Sequence, residues 1–206
     1  MKSMSYEAVM ARKNEIMQSS IGLDFSIYES GGIAFDYERL MEDVGLTLEE
    51  VLDIQLEMGV GNTPLRELKN VTALARKLAP AGKGARILVK DEANNLSGSF
   101  KARRAAISVW DAKRKGYKGV IAATSGNYGA AVAALANRLG LKALIIQECY
   151  DSKMIGQPEI LEKQRACEAY GAEVMQLTVG PELFYEHLRL LEETGFYNAS
   201  LYTPYA

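Results

Sequence analysis

The sequence predicts an α/β protein in which a parallel sheet carries helices on both faces, and three observations predict it. From Arg86 onward, short apolar runs alternate with longer segments of helical period, four times in succession. Gly116, Gly140, Gly171 and Gly195 stand where each helical segment should stop, the place at which a left-handed residue ends a helix. The run Gly119–Ala123 is apolar at every position, as a strand covered on both faces should be.

The elements follow in order. Residues 1 to about 58 read as helical, with one helix over Tyr6–Met17 and a second over Asp36–Val44 closed by Gly45. Thr47-Leu48-Glu49-Glu50 has capping-box spacing and opens a third helix running to Met58. Ser30-Gly31-Gly32 marks a loop between the first two. Thereafter strand Ile87–Lys90 precedes helix Phe100–Arg114, and strand Val120–Ala123 precedes helix Tyr128–Leu139. Strand Ala143–Gln147 precedes helix Glu159–Tyr170, and strand Glu173–Thr178 precedes helix Glu182–Glu193. Parallel sheets bind ligands beyond the carboxyl ends of their strands, which is where the turn Thr124–Gly129 falls. The alternation is not accompanied by a sequence repeat.

Composition narrows the function classes. The chain has 206 residues, 48% hydrophobic and 24% charged, ordinary values for a globular chain able to bury a core. A formal net charge of −2 supplies no broad field for nucleic acid or an anionic membrane. The first residues lack a signal-peptide core and no apolar run approaches a membrane span, so the expected location is cytoplasmic. Cys149 and Cys167 lack metal-ligand spacing and read as reduced, packed thiols. With His187 as the only histidine, a two-histidine zinc site is excluded, and no Gly-x-Ser-x-Gly elbow accompanies it; His187 reads as a helix-face residue. Gly59-Val60-Gly61 lacks the third glycine of a dinucleotide fingerprint, and no phosphate-loop Gly-Lys-Ser/Thr occurs.

The chemistry concentrates in two segments. Ser97-Gly98-Ser99-Phe100-Lys101-Ala102-Arg103 is a small-residue turn that starts a helix with one amine in its first turn, where the macrodipole favours the neutral form. Such a lysine can form a Schiff base with a carbonyl. Thr124-Ser125-Gly126-Asn127-Tyr128-Gly129 follows a strand and leads into a helix, the arrangement of an anion site. Taken singly, a lysine on an amphipathic helix is most often solvated, and Ser-Gly-Asn is an ordinary turn. The combination is less ordinary, because Asn62-Thr63-Pro64-Leu65 lies upstream and Lys90-Asp91-Glu92 runs into Asn95. Arg103 and Arg104 read as solvated or paired with acids, and Phe100 as an apolar support or a core residue.

These motifs, in this order, resemble the fold type II pyridoxal phosphate enzymes of the threonine synthase and cysteine synthase group, whose fold is tryptophan synthase beta-like. Leu96 stands where that group usually has proline. The resemblance implies pyridoxal 5′-phosphate as cofactor, with Lys101 as its covalent anchor and later the base that moves the substrate α-proton. It implies Asn127 as hydrogen-bond partner of the cofactor's 3′ oxygen, and Thr124, Ser125, Gly126 and Tyr128 as the loop closing on the substrate α-carboxylate. No metal is implied. The glycine-rich phosphate cup of the group lies in its C-terminal half, so the expectation is a helical extension over 1–58, the N-terminal half of the catalytic fold over 59–206, and a truncated chain with the cup beyond Ala206.

Further stretches narrow the resemblance. Tyr6–Met10 with Asn14–Met17, Ile33–Glu38, Gln147–Lys153 and Gly180–Tyr185 are similar to the pyridoxal phosphate subunits of the 2-amino-4-oxopentanoate thiolases. That family cleaves its amino acid with coenzyme A to acetyl-CoA and alanine in ornithine breakdown, alongside a smaller partner subunit; an oligomer is expected. Two other readings stay open from the residues: a threonine synthase-like lyase or β-replacement enzyme, and a non-catalytic subunit-interaction fragment.

Overall fold

The computed structural model describes residues 2–30, 34–124, 126–150, 153, 155–178 and 181–200. Helices α1 (Tyr6–Ala11) and α2 (Lys13–Ile21) open the chain, followed by a 3-10 turn at Phe25–Tyr28. Strands β1 (Glu29–Ser30) and β2 (Ala34–Phe35) pair antiparallel, and α3 (Tyr37–Val44) and α4 (Leu48–Glu57) complete the leader. Gly31 and Gly32 of the expected loop lie outside the described residues. The caps are those the sequence indicates. Asp36 accepts the Arg39 amide at 3.1 Å, Thr47 and Glu50 exchange backbone bonds as a capping box, and Gly45 ends α3 at φ 69°.

The helix expected over Tyr6–Met17 is two helices broken at Arg12, which has φ −99° and ψ 11°. The break is a tertiary effect. Arg12 Nη1 donates to the Ala8 carbonyl at 2.8 Å, while Nη2 and Nε reach both oxygens of Glu192 at 2.6 and 3.0 Å.

Beyond the leader come β3 (Leu65–Glu67), α5 (Lys69–Leu78), β4 (Leu88–Lys90) and a 3-10 turn at Glu92–Asn94. After them run α6 (Lys101–Arg114), β5 (Gly119–Ala123), α7 (Asn127–Arg138), β6 (Lys142–Glu148), α8 (Pro158–Ala169), β7 (Glu173–Leu177), α9 (Pro181–Thr194) and β8 (Tyr197–Asn198). Gly116, Gly140, Gly171 and Gly195 all have positive φ, as their places after helices require.

A four-stranded parallel sheet has the order β7-β6-β5-β8. The chain moves outward from β5 to β7 through α7 and α8, which pack together, α7 also packing on α6. It then returns through α9, which packs with α1 and α2, and lays β8 on the free side of β5. The direction of winding therefore reverses between β5 and β8, the crevice at which open parallel sheets bind ligands. Val120, Ile121, Ala122, Ile145 and Ile146 fill the sheet's centre, and the small residues Ala130, Ala131, Ala133 and Ala136 let α7 sit close to it.

One expectation is corrected. The strand at 87–90 forms, but outside the parallel sheet: β4 pairs antiparallel with β3, with Leu65 opposite Lys90 and Glu67 opposite Leu88. Leu-Arg-Glu is too short and too charged to show a strand period, so the partner that captures β4 was not visible. In this unit Leu65, Leu74, Leu78 and Leu88 are exposed.

His187 is more enclosed than a helix-face position suggests. It is fully buried on α9, its Nε2 lies 3.0 Å from Asn198 Oδ1, and burial pushes its pKa down to about 4, so it is neutral near pH 7. Cys167 is buried and Cys149 partly exposed, so of the two free thiols only the first is packed as expected from the sequence.

Asp111 joins the leader to the body. Its side chain is buried, and it accepts from Arg114 Nη2 at 2.6 Å, from Lys115 Nζ at 2.8 Å and from the Tyr197 hydroxyl at 2.9 Å. Lys115 also donates to the Ile21 carbonyl at 2.6 Å, and the Tyr117 hydroxyl to the Ser19 carbonyl at 2.8 Å, so the end of α2 is held to the end of α6. Only the carboxylate is buried, while Arg114 and Lys115 keep contact with solvent, so its removal takes away charge-assisted bonds without stranding a buried charge. Asp111→Ala is therefore expected to cost about 2–3 kcal/mol in urea denaturation; a loss below about 1 kcal/mol would show that the cluster behaves as a surface pair.

Candidate functional site

Lys101 is the first residue of α6, half-buried, and Phe100 before it supplies no side-chain cap. Among the described residues its ammonium makes no hydrogen bond or ion pair; it lies 4.8 Å from the centroid of the exposed Phe100 ring. The turn ahead of it carries two buried hydroxyls, Ser97 Oγ and Ser99 Oγ, that have no partner among the described residues. Buried polar atoms are seldom left so in a finished site.

Asn127 is the first residue of α7, exposed, with its side-chain amide unbonded among the described residues. Gly126 before it is extended at φ −173° and offers no side-chain cap, which leaves the first amides of α7 available. Thr124 Oγ1 accepts the Gly126 amide at 3.1 Å, a bond that folds the turn back on itself. Gly129 has to be glycine: a Cβ there would run into the Thr124 methyl and stand 2.9 Å from Ile145 Cγ2. Tyr128 is buried, and its hydroxyl donates to the Ala199 carbonyl. What Tyr128 presents to an anion is thus its backbone amide, with the phenol turned into the structure. Ser125 lies outside the described residues.

An amine without a charge partner, a free amide and an uncapped helix start make a donor set that fits an aldehyde-bearing, anionic aromatic group such as pyridoxal phosphate. Of the six residues singled out in the sequence, Thr124, Gly126, Asn127 and Tyr128 share one turn past the end of β5. Lys101 belongs to a different helix that packs on α7.

The motif residues around Lys101 are brought together by one carboxylate. Glu92 Oε1 accepts from the Thr63 hydroxyl at 2.7 Å and from Arg103 Nη2 at 2.9 Å, while Oε2 accepts from Arg103 Nε at 2.7 Å and Asn95 Nδ2 at 2.9 Å. Asn95 Oδ1 in turn accepts the Gly61 amide at 2.9 Å, and Lys90 Nζ donates to the Thr63 carbonyl. Gln55 Nε2 donates to the Arg103 carbonyl at 3.2 Å. The upstream Gly-Asn-Thr-Pro segment and the lysine segment are therefore one assembly, and Arg103 is paired with an acid rather than solvated. The Arg103 guanidinium, with Thr63 and Asn95, holds the Glu92 carboxyl at a pKa of about 2, well below the usual range.

One polar residue had no sequence signal. Gln147 is fully buried on β6, and both amide atoms lack a partner among the described residues. Ala123 is in register with Ile146 and Thr124 donates its amide to the Ile146 carbonyl at 2.9 Å, so Gln147 comes alongside Thr124 at the base of the turn. A cavity of about 470 Å³ lies one strand further over and is lined by Cys149, Gln157, Pro158, Gln176 and Thr178 rather than by Lys101 or Asn127.

The depressed pKa of Glu92 carries a sign. Its stabilising effect is fully present above the ordinary 4.5 and is lost as pH falls through about 2. Glu92→Gln is expected to be less stable than the parent by about 2 kcal/mol at neutral pH, with the gap closing toward pH 2 in denaturant titrations. A gap that stays constant across that range would mean the charge contributes nothing.

The chain is 67% identical over 204 residues, 99% of its length, to the 2-amino-4-ketopentanoate thiolase beta subunit of Acetoanaerobium sticklandii, and spans 44% of that protein. It is 43% identical over 86 residues, 42% of its length, to threonine synthase of Synechocystis, of which that covers 21%. Among solved structures, a threonine deaminase from T.th. is similar with a TM-score of 0.57 and 30% identity, covering 75% of this chain and 45% of that one. The chain thus spans less than half the length of the relatives it matches. Because residues 56–206, from the end of α4 through both site segments, match the model of the pyridoxal-phosphate dependent enzymes, the chain belongs to that family.

Proposed function

We propose that this chain belongs to the pyridoxal phosphate subunit of an enzyme that cleaves 2-amino-4-oxopentanoate with coenzyme A, giving acetyl-CoA and alanine, together with a smaller partner subunit. The carrying observation is the 67% identity to a thiolase beta subunit along 99% of the chain, leader included, although the family model begins only at residue 56. In this reading 1–58 is a helical extension and 59–206 is the N-terminal half of the catalytic fold, the protein acts in the cytoplasm, and it works as an oligomer. Among the described residues no helix is long and apolar enough to cross a membrane.

The assignments are those that the family resemblance implies, and the donor set is compatible with them. When bound, pyridoxal phosphate supplies an electron sink for charge that develops at the substrate α-carbon. Lys101 holds the cofactor's carbonyl carbon through its amine and, once displaced, moves the proton at the substrate α-carbon. Asn127 donates its amide to the ring oxygen. The helix start at Thr124, Ser125, Gly126 and Tyr128 orients the substrate α-carboxylate, since uncapped amides and short hydroxyls suit an anion.

The expected outcome on the full-length gene product with its partner subunit is a cofactor absorbance band and thioester formation from coenzyme A and the oxo amino acid. Lys101→Ala should abolish the borohydride-fixed adduct, and a labelled peptide centred on Lys90 or Lys118 would sink the lysine assignment. A band without thioester formation, but with turnover of a hydroxy or phospho amino acid, would replace thiolysis with a lyase or β-replacement reaction.

A further inference from the structure

We propose that Arg104 is a positioning residue: it fixes the Lys101 amine relative to the Asn127 amide by tying the first turns of α6 and α7 to the end of β8. The inference rests on Lys101 and Asn127 being the pair that holds the cofactor.

The two groups stand on different helices, and neither helix start is fixed by a side-chain cap. Phe100, just ahead of Lys101, is exposed, and the Lys101 ammonium lies over its ring with no hydrogen bond or ion pair among the described residues. Arg103 holds this turn to Glu92 and Gln55 on the side of α4 and β4, and a second tie toward α7 comes from Arg104. Arg104 is three residues from Lys101 and lies on the same helix face. Its Nη2 donates to the Ser200 carbonyl at 3.2 Å, and its guanidinium carbon stands 4.6 Å from the centroid of the Tyr128 ring, in the first turn of α7.

Tyr128 and Ser200 are themselves held. Tyr128 donates its hydroxyl to the Ala199 carbonyl, the Ala199 amide donates to the Ile121 carbonyl at 2.9 Å, and Ser200 Oγ accepts the Ala123 amide at 2.8 Å. Asn198 Oδ1 accepts the Ser200 amide at 3.2 Å and the His187 Nε2 proton at 3.0 Å. Residues 198–200 are therefore a fixed point beside β5, braced from α9, and Arg104 measures α6 against it. A planar guanidinium can stack on a ring and donate in its own plane at once, which an ammonium cannot do. Precision matters here because a misplacement of about 1 Å between reacting groups costs about a hundredfold in rate.

The test compares wild type, Arg104→Met, Arg104→Lys and Tyr128→Phe in the full-length gene product. Three quantities are read: pyridoxal phosphate affinity by dialysis, the absorbance of the bound cofactor with its pH titration, and the thermal midpoint of the cofactor-free protein. Arg104→Met is expected to weaken cofactor binding about tenfold and to displace the absorbance titration, with the cofactor-free midpoint little changed. Arg104→Lys, which keeps the charge but not the plane, should fail to restore the spectrum. Tyr128→Phe keeps the ring and releases its hydroxyl tie, and should show the same spectral change in weaker form. An unchanged affinity and spectrum in Arg104→Met overturns the proposal while leaving the cofactor reading intact. Effects that simply follow the cofactor-free midpoint across the variants also overturn it, by making the role one of fold stability. A wild type that binds no pyridoxal phosphate overturns the cofactor reading and this inference together.

Discussion

The Glu92 carboxylate is the interaction on which the approach to Lys101 depends. Its oxygens receive a hydroxyl from the loop before β3, an amide from the turn before Lys101 and two nitrogens from the helix that carries Lys101. The β3–β4 ladder, extended by the Asp91 amide to the Pro64 carbonyl, sets the Thr63 loop beside the Glu92 turn, but among the described residues it does not reach the helix that carries Lys101. A charge can do it: one carboxylate accepts several bonds, and charge-assisted bonds are roughly twice as strong as neutral ones. The arrangement is also exacting, since a partly buried carboxylate that loses Arg103 keeps its desolvation cost without compensation. That is why the residues of two separated motifs behave as one unit, with Gln55 of α4 closing it from the leader side by its bond to the Arg103 backbone.

How much of this could be read in advance follows the range of the forces involved. Helix ends were legible because their chemistry is local: Asp36, Thr47, Gly45 and the four glycines act within a turn of their own positions. Of the parallel strands, β5 was legible because burial on both faces leaves a run with no polar residue, as in Val120–Ala122, whereas the two residues of β8 carry no such run and were not read as a strand. The break at Arg12 was not, since the chain folds there around a carboxylate 180 residues away. Nor was the pairing of β4 with β3, where the strand's partner is a tripeptide containing two charges.

The candidate site divides the same way. A small-residue turn before a lysine and a Ser-Gly-Asn turn before an alanine-rich helix announce themselves by local conformation. What each side chain does with its neighbours does not. The Tyr128 phenol turns inward to Ala199, Arg104 reaches across to Ser200, and Gln147 holds an unpartnered amide beneath Thr124, none of which any spacing could reveal. These three are set by where β8 and β6 lie relative to β5, a property of strand order alone.

Strand order also links the leader to the site. Because α9 returns across the sheet to lay β8 against β5, whatever steadies α9 and β8 steadies the edge of the crevice. The leader does both. Arg12 and Lys2 hold Glu192 on α9, and Met17 Sδ meets the Asn198 amide on β8 at 3.4 Å. Tyr197, the first residue of β8, gives its hydroxyl to Asp111, which the Lys115 ammonium shares with the end of α2. A helical segment outside most of the family match thus reaches the strand that leads to Ser200, whose hydroxyl oxygen holds the Ala123 amide just ahead of the turn that carries Asn127. Changes in how the leader is held therefore have a physical route to the helix starts that carry the chemistry, through packed strands and buried polar bonds and without any contact between leader and ligand.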